Sequence, residues 1–223
     1  MRFLEFPLTL MSWIERATAN LTKYSTYQGE GEPSLHRLMH EWEMTNGFND
    51  LEDTSGTCEL CDHPDIRYQH EMHNRFTKID LWVGSTCILQ FVPLYEDDVE
   101  ITNPEDKARL LTRITTRLIN EARQERAMRL IEKLAAINDR FTGSNWERDW
   151  KKGYSVKQLQ MIVISAKKAG FAFKAADFQI NTKRGRYVEQ ARELELWQYQ
   201  QLRPAFTAAR QKELDEHFGL RLP

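Results

Sequence analysis

Cysteine is scarce in this chain, and the three residues present, Cys58, Cys61 and Cys87, make an odd number. Secreted domains stapled by disulfides show an even set in a shorter chain, so the count argues for a reducing compartment, and the cytoplasm is expected. Long apolar runs are missing as well. No stretch approaches the roughly 18 apolar residues of a membrane span, and no membrane partner is expected. The fairly apolar start, Met1 to Ile14, is interrupted by Glu5 and Pro7 and carries only Arg2 as an early positive charge, which does not read as a signal peptide. Catalytic loops are also lacking: there is no phosphate-binding loop, no G-x-G-x-x-G and no G-x-S-x-G elbow. His70-Glu71-Met72-His73 is one residue short of the metalloprotease H-E-x-x-H. It also sits in a strand pattern that points its two histidines to opposite faces. The zinc-deaminase order fails because the only C-x-x-C precedes these histidines. Neither an internal repeat nor a low-complexity tract is present. The chain is expected not to be an enzyme.

What is there is a split in charge that the net value of −2 hides. Residues 1–103 hold 7 Lys/Arg against 18 Asp/Glu, and residues 104–223 hold 24 against 15. Within 107–186 the count is 19 against 7, which suggests that this half meets a polyanion. Solvated helix faces are the plainer explanation.

Hydrophobic spacing supplies an outline. Residues 3–23 read as a short extended lead and a helix carrying Leu10, Ile14, Ala17 and Leu21. Residues 25–33 read as a loop, Ser34 as the cap of a helix to about Met44, and Gly47 through Gly56 as a turn-rich connection. The runs Ile66–His73 and Lys78–Val83 form a hairpin around Asn74-Arg75-Phe76-Thr77. Asn103-Pro104-Glu105-Asp106 starts a helix that runs to about Phe141, where Gly143 stops it. Ser155 with Gln158 is a capping box for a helix ending at Gly170, and helices near 187–201 and 207–217 finish the chain. The fold class is α+β: a small N-terminal zinc-binding β-hairpin module with flanking helices, followed by an all-α helical bundle. The expected division is an acidic zinc-binding domain over 1–102 and a basic helical domain over 103–223.

Zinc needs converging ligands, and the hairpin supplies them. With the turn centred between Arg75 and Phe76, paired residues sum to about 151, so Cys87 lies opposite residue 64 beside the Cys58-x-x-Cys61 knuckle. Three thiolates then meet about 2.3 Å from one Zn²⁺. His63 is the first choice for the fourth ligand. His40, one helical turn from His36, is the second, and His70 and His73 lie too far up the strands. The run Cys58-x-x-Cys61, Ile66-Arg67-Tyr68-x-His70, Leu81-x-Val83-Gly84-x-x-Cys87-Ile88 resembles a zinc-binding segment of largely uncharacterised prokaryotic mobile-element proteins. Some of those carry Cys-x-Cys at the hairpin end, where this chain has Ser85 in the first position. The likeness covers about 30 residues and identifies a module. The wider layout, a zinc-bearing part followed by a basic helical bundle, is similar to the compact Cas8-like large subunit of type IV CRISPR effector complexes. That resemblance implies contact with guide RNA and target DNA, recognition of a short flanking motif in duplex DNA, and packing against other protein subunits.

In the basic half, Arg109, Arg113 and Arg117 recur every four residues on one helix face with no acid between Asp106 and Glu121, so they are candidates for phosphate contacts. Arg126, Arg129 and Lys133 form a second row, with Glu121, Glu125 and Glu132 at hand for ion pairs. Trp146, Trp150 and Tyr154 alternate with Arg148, Lys151 and Lys152, which suits base stacking beside cations and equally suits core anchors. Lys183, Arg184 and Arg186 form a short acid-free turn that fits a backbone or groove contact. Asn74 and Arg75 at the hairpin tip are further candidates for reading a duplex. The expected function is a non-enzymatic, zinc-containing, nucleic-acid-binding subunit of a larger complex. Alternatives are a mobile-element adaptor or inhibitor of a host defence system, and a treble-clef nuclease.

Overall fold

The computed structural model describes residues 8–28, 31, 33–96, 99–143, 145–183 and 185–220. The extended lead expected before residue 8 and the candidate Arg184 lie outside them. The chain divides into two compact units, Met1–Ile119 and Asn120–Pro223. The division falls inside a helix rather than at residue 103, because the first turns of that helix bury Leu110 and Leu111 in the core of unit 1. The α+β architecture with a following helical bundle is as expected.

Unit 1 begins with α1 (Leu8–Thr22), whose Ala17 and Leu21 are fully buried. Helix α2 (Leu35–Met39) starts where Ser34 caps it, its hydroxyl accepting from the Arg37 N–H at 3.3 Å. It then stops short of the expected end. Trp42 instead opens strand β1 (Trp42–Asp50), which occupies much of what the sequence offers as a turn-rich connection. The cause is a bulge: register shifts between Met44 and Phe48, so Asn46-Gly47 is absorbed into the strand and the alternating pattern is broken. Strand β1 pairs antiparallel with β2 (Tyr68–Asn74), and β2 with β3 (Asp80–Gly84).

The hairpin exists, with Gln69 opposite Gly84 and His73 opposite Asp80. That register is slipped by two residues from the expected one, which preserves every face. Its turn is organised by Asn74, fully buried, whose side-chain carbonyl accepts the N–H groups of Phe76 and Thr77. The larger correction follows Gly84. The strand pattern does not continue through Cys87; Ser85–Phe91 is helix α3, held by burial of Ile88 and, just past its end, Val92. A short pair, β4 (Tyr95–Glu96) and β5 (Val99–Glu100), precedes α4 (Pro104–Ala135), whose Asn103 side chain accepts from the N–H groups of Glu105 and Asp106.

Unit 2 takes the second half of α4 with α5 (Asn145–Lys152), α6 (Val156–Ala169), α7 (Gly185–Arg192), α8 (Leu196–Leu202) and α9 (Ala208–His217). The expected capping box at Ser155 and Gln158 forms, and Gly170 ends α6 in the left-handed conformation. The expected helix near 187–201 is broken in two, and α8 begins with its own capping box at Glu195 and Gln198. Rings chain through the core: Phe141 stacks on Trp146, which meets Tyr154, which meets Phe178. Trp146 and Tyr154 are therefore core anchors, and Tyr154 donates its hydroxyl to the Trp146 carbonyl at 2.7 Å. Trp150 donates to the Asp177 carbonyl.

Candidate metal centre

Three buried thiols meet beneath the sheet of unit 1. The Cys58-x-x-Cys61 knuckle is a tight turn closed by the Asp62 N–H donating to the Cys58 carbonyl and the Cys58 N–H donating to the His63 carbonyl. Cys87 arrives from the first turn of α3, so a helix end rather than a strand end carries it to the knuckle. The Cys87 sulfur lies 3.3 Å from Cys61 Sγ and 3.7 Å from Cys58 Sγ. These spacings are far beyond a disulfide bond of about 2.05 Å. They are close to the ~3.8 Å that separates thiolates held about 2.3 Å from one tetrahedral zinc.

The backbone around the sulfurs is built for negative charge. The Gly84 N–H donates to Cys58 Sγ at 3.3 Å, and the N–H groups of Leu60 and Cys61 add to it. The His63 N–H serves Cys61. The hydrogen bond from Cys87, followed by these amides, holds the Cys58 thiol well below its ordinary range. Cys87 is pushed far above that range by donating to Cys58 and by burial, and Cys61 is raised mainly by burial. Three converging buried thiols served by backbone N–H groups are a donor set that fits a soft divalent cation.

No single imidazole or carboxylate among the described residues joins the three sulfurs in a set lying within 4.8 Å of one another. His63 walls the cavity beside them and reaches the site through its backbone. His40 is set apart: its carbonyl accepts from Arg75 at the hairpin turn, beyond the Trp42–Asn74 pair. Strand β2 alone puts about 17 Å between that end and Gln69. His73 pairs with Asp80 at 2.6 Å on the outer face. His70 is fully buried, its Nε2 within 3.2 Å of the Ser85 hydroxyl, and burial lowers its pKa to about 4. An imidazole held that far down stays neutral and is a poor general base at neutral pH.

At the hairpin tip the two candidate side chains are engaged within the fold. Asn74 spends its amide on the Tyr24 carbonyl and Glu41, and Arg75 spends its guanidinium on the His40 carbonyl. The arginine row of α4 is partnered, and for Arg113 and Arg117 by residues outside the helix. Arg109 pairs with Asp106, Arg113 with Glu96 from β4, and Arg117 donates to Asn46 at 2.9 Å. In the second row Arg126 pairs with buried Asp177 and Arg129 with Glu125.

Beyond α4, the remaining candidate cations differ from one another. Lys151 pairs with Glu147 at 3.1 Å. Asn181 joins two segments far apart in sequence: its amide donates to the Lys152 carbonyl at 2.9 Å and its carbonyl accepts the Lys183 N–H at 3.0 Å. The Tyr154–Ile180 bridge runs alongside. Gly153 makes this approach possible, with φ at +81° and Asn181 backbone only 2.8 Å from where a Cβ would stand. Exposed Lys152 and Lys183 thus share one edge, with exposed Arg186 three residues on, folded over the Tyr187 ring. Nothing in the sequence points to Asn181; only the fold shows it.

The chain matches no family model, no curated protein and no solved structure. No helix of the described residues is long and apolar enough to cross a membrane. The class defined by fold and site is an α+β module with a buried three-cysteine site fit for a metal, followed by an α-helical bundle.

Proposed function

We propose that this protein is a non-enzymatic, zinc-stabilised binding subunit that grips nucleic acid through the Lys152–Lys183–Arg186 edge of unit 2. The observation that carries the reading is the Asn181 clamp. It brings two basic segments to one edge where, among the described residues, none of the three cations has a carboxylate partner. An exposed, uncompensated cluster of this kind gains most from a phosphate backbone. The unit 1 metal is structural in this reading. The buried, neutral His70 argues against the nuclease alternative, which needs an accessible histidine base.

The test is binding of duplex and single-stranded oligonucleotides by the full chain across a salt series. Replacing Lys152, Lys183 and Arg186 with Ala should lower the log–log salt slope by about 0.9 per lost contact on duplex, or about 0.7 on single strands. Binding that is unchanged at every salt concentration would remove this edge from the interface. The Cas8-like resemblance gives the same reading a narrower form, recognition of a short motif beside guide-paired DNA within an assembly. Selection from duplexes with randomised flanks, with and without neighbouring gene products, tests it through the ~1–3 kcal/mol that each wrong base pair costs.

A second reading, a protein–protein adaptor, is favoured by one surface of unit 2. Ile164 (53 % exposed) and Trp197 (58 % exposed) line a groove with Val163 and Leu202, rimmed by Lys167 and Lys168. If the full chain binds no oligonucleotide, and copurification with a neighbouring gene product is lost on Trp197→Asp, the adaptor reading stands in place of the first.

A further inference from the structure

We infer that the metal centre is a three-thiolate site whose fourth position takes an exchangeable, uncharged nitrogen or oxygen donor from outside the knuckle. The inference rests on the zinc reading and deepens it, because sites with three protein ligands are the ones that exchange a fourth. Four observations carry it.

The first is the donor set: Cys58, Cys61 and Cys87 converge, and no fourth His, Asp or Glu of the described residues joins them within 4.8 Å. The two acids next to these cysteines in sequence are held elsewhere: Glu59 accepts from the Trp82 N–H at 2.6 Å, and Asp62 has both its oxygens 3.2 Å from the Asn20 amide, which also donates to the Leu60 carbonyl. His63 has its N–H on Cys61 and its carbonyl on Cys58, so its backbone cannot swing inward without dismantling the knuckle.

The second observation is Gly84. It caps α3 three residues before Cys87 with φ −70° and ψ 151°, a conformation open to any residue. A Cβ built there would make ordinary contacts, 3.5 Å to Ile66 and 3.9 Å to the Cys58 Cβ. Neither backbone nor packing demands glycine. The absence of a side chain keeps clear this position of the cavity wall, which Ser85 and Thr86 of the same helix turn also line.

The third is space. A cavity of about 190 Å³ lies against the three thiols, walled by Trp13, His63, Ile66 and Gly84. That far exceeds the ~10–15 Å³ that admits one water, and it accommodates a five-membered ring.

The fourth is charge. A divalent ion with three thiolates carries one net negative charge, and an anionic fourth ligand would place a second in a cavity walled partly by Trp13 and Ile66. The backbone N–H groups here are already spent on Cys58 and Cys61, and no Lys or Arg lines the cavity to offset a second charge, so burying one beside these walls is costly. The ligand class that follows is neutral: water at rest, and an imidazole-type nitrogen when one is offered.

The experiment uses the full chain loaded with Co²⁺ in reducing buffer, with metal content measured first and free imidazole as the probe. The expected result is one Co²⁺ per chain and visible d–d bands that shift saturably with imidazole. His63→Ala, which widens the cavity, should leave the starting bands in place and the response to imidazole still saturable. Gly84→Cys, which adds a fourth thiolate, should abolish the response. Bands that ignore imidazole in the wild type overturn the inference, whether His63→Ala alters them, making His63 the fourth ligand, or leaves them alone, making it another internal donor. A Gly84→Cys protein that still responds overturns it too. Failure to bind Co²⁺ or Zn²⁺ at all would instead remove the zinc reading beneath it.

Discussion

The two units of this chain bury polar and ionisable groups by different means. Unit 1 is a three-stranded sheet with short helices, and the buried cluster at its centre includes Cys58, Cys61 and Cys87. Unit 2 has a core of rings and aliphatic side chains, and its buried charges are paired internally. Asp215, 1 % exposed, accepts from Arg203 at 2.8 and 2.7 Å and from the Tyr199 hydroxyl at 2.7 Å, while buried Asp177 accepts from Arg126. The small sheet module thus gathers three sulfurs fit for a cation, whereas the buried carboxylates of the bundle are paired with its own side chains. Stability of the first should follow a metal, and stability of the second should follow its own side chains.

Removing the metal should therefore have the largest effect, confined to one unit. Structural zinc contributes about 10–16 kcal/mol of apparent binding energy in small domains, comparable to or above the ~5–15 kcal/mol net stability of a whole domain. Chelation, or Cys87→Ser, should abolish hydrogen-exchange protection in β1, β2, β3 and α3 while protection in α6 and α8 persists. Elemental analysis showing no zinc in folded protein, or loss of protection in both units together, would break the contrast.

Next in size is the ion pair at Asp215. Asp215→Ala leaves Arg203 without its carboxylate and the Tyr199 hydroxyl with the Gln211 carbonyl alone, at 3.1 Å, and breaking a buried pair costs about 3–5 kcal/mol. Arg203 is 39 % exposed at its side chain and can turn to water, which favours the lower end. The Arg203 guanidinium beside Asp215 holds the carboxyl below the usual carboxylate range. Its contribution is complete above the unfolded value near 3.9 and is lost as pH falls through the lower folded value. Thermal melts of the apo and metal-loaded protein should show an acid-sensitive step that Asp215→Asn removes and chelation leaves in place.

A third effect links stability to the proposed edge. Gly153→Ala forces a Cβ to within 2.8 Å of the Asn181 backbone at a positive φ, a strain of about 1–3 kcal/mol. The variant should melt earlier and also bind oligonucleotides less well, because Lys152 and Lys183 lose their clamp. Weaker melting with full binding would separate the clamp from the interface.

The parts of this molecule legible in the sequence were those whose signal is local. The Ser34 and Ser155 caps, the Asn103-Pro104 start and the hairpin each depend on neighbours a few residues away, and each is present. The knuckle was legible because C-x-x-C spacing is itself the ligand geometry. Strand β1 was not, since an edge strand with a bulge over Asn46-Gly47 loses its period of two. Helix α3 was not, because Ile88 and Leu89 suit a strand as well as a helix, and tertiary burial chose. The Asn181 clamp was beyond reach for another reason: its contacts join segments 29 residues apart, and a lone asparagine carries no pattern.

The smallest expected effect concerns the α4 arginines and divides the two basic surfaces most sharply. Read along the helix, Arg109, Arg113 and Arg117 are spaced for phosphates because the helix itself offers no acid between Asp106 and Glu121. The fold supplies partners from elsewhere, Glu96 of β4 to Arg113 and the Asn46 side chain of the β1 bulge to Arg117, while Asp106 turns back to Arg109. Arg109 and Arg113 are exposed, at 76 % and 65 % of their side chains, and exposed pairs contribute at most about 1 kcal/mol each. Arg113→Ala should therefore shift the melting temperature only slightly. Since a phosphate would have to displace Glu96 to gain that guanidinium, the triple Ala variant of this row should keep most of the salt slope that the Lys152, Lys183 and Arg186 variant loses. The measurement is one salt series run on both triple variants beside the wild type. A steeper loss from the α4 row than from the clamped edge would move the interface to unit 1 and leave the clamp as a packing device.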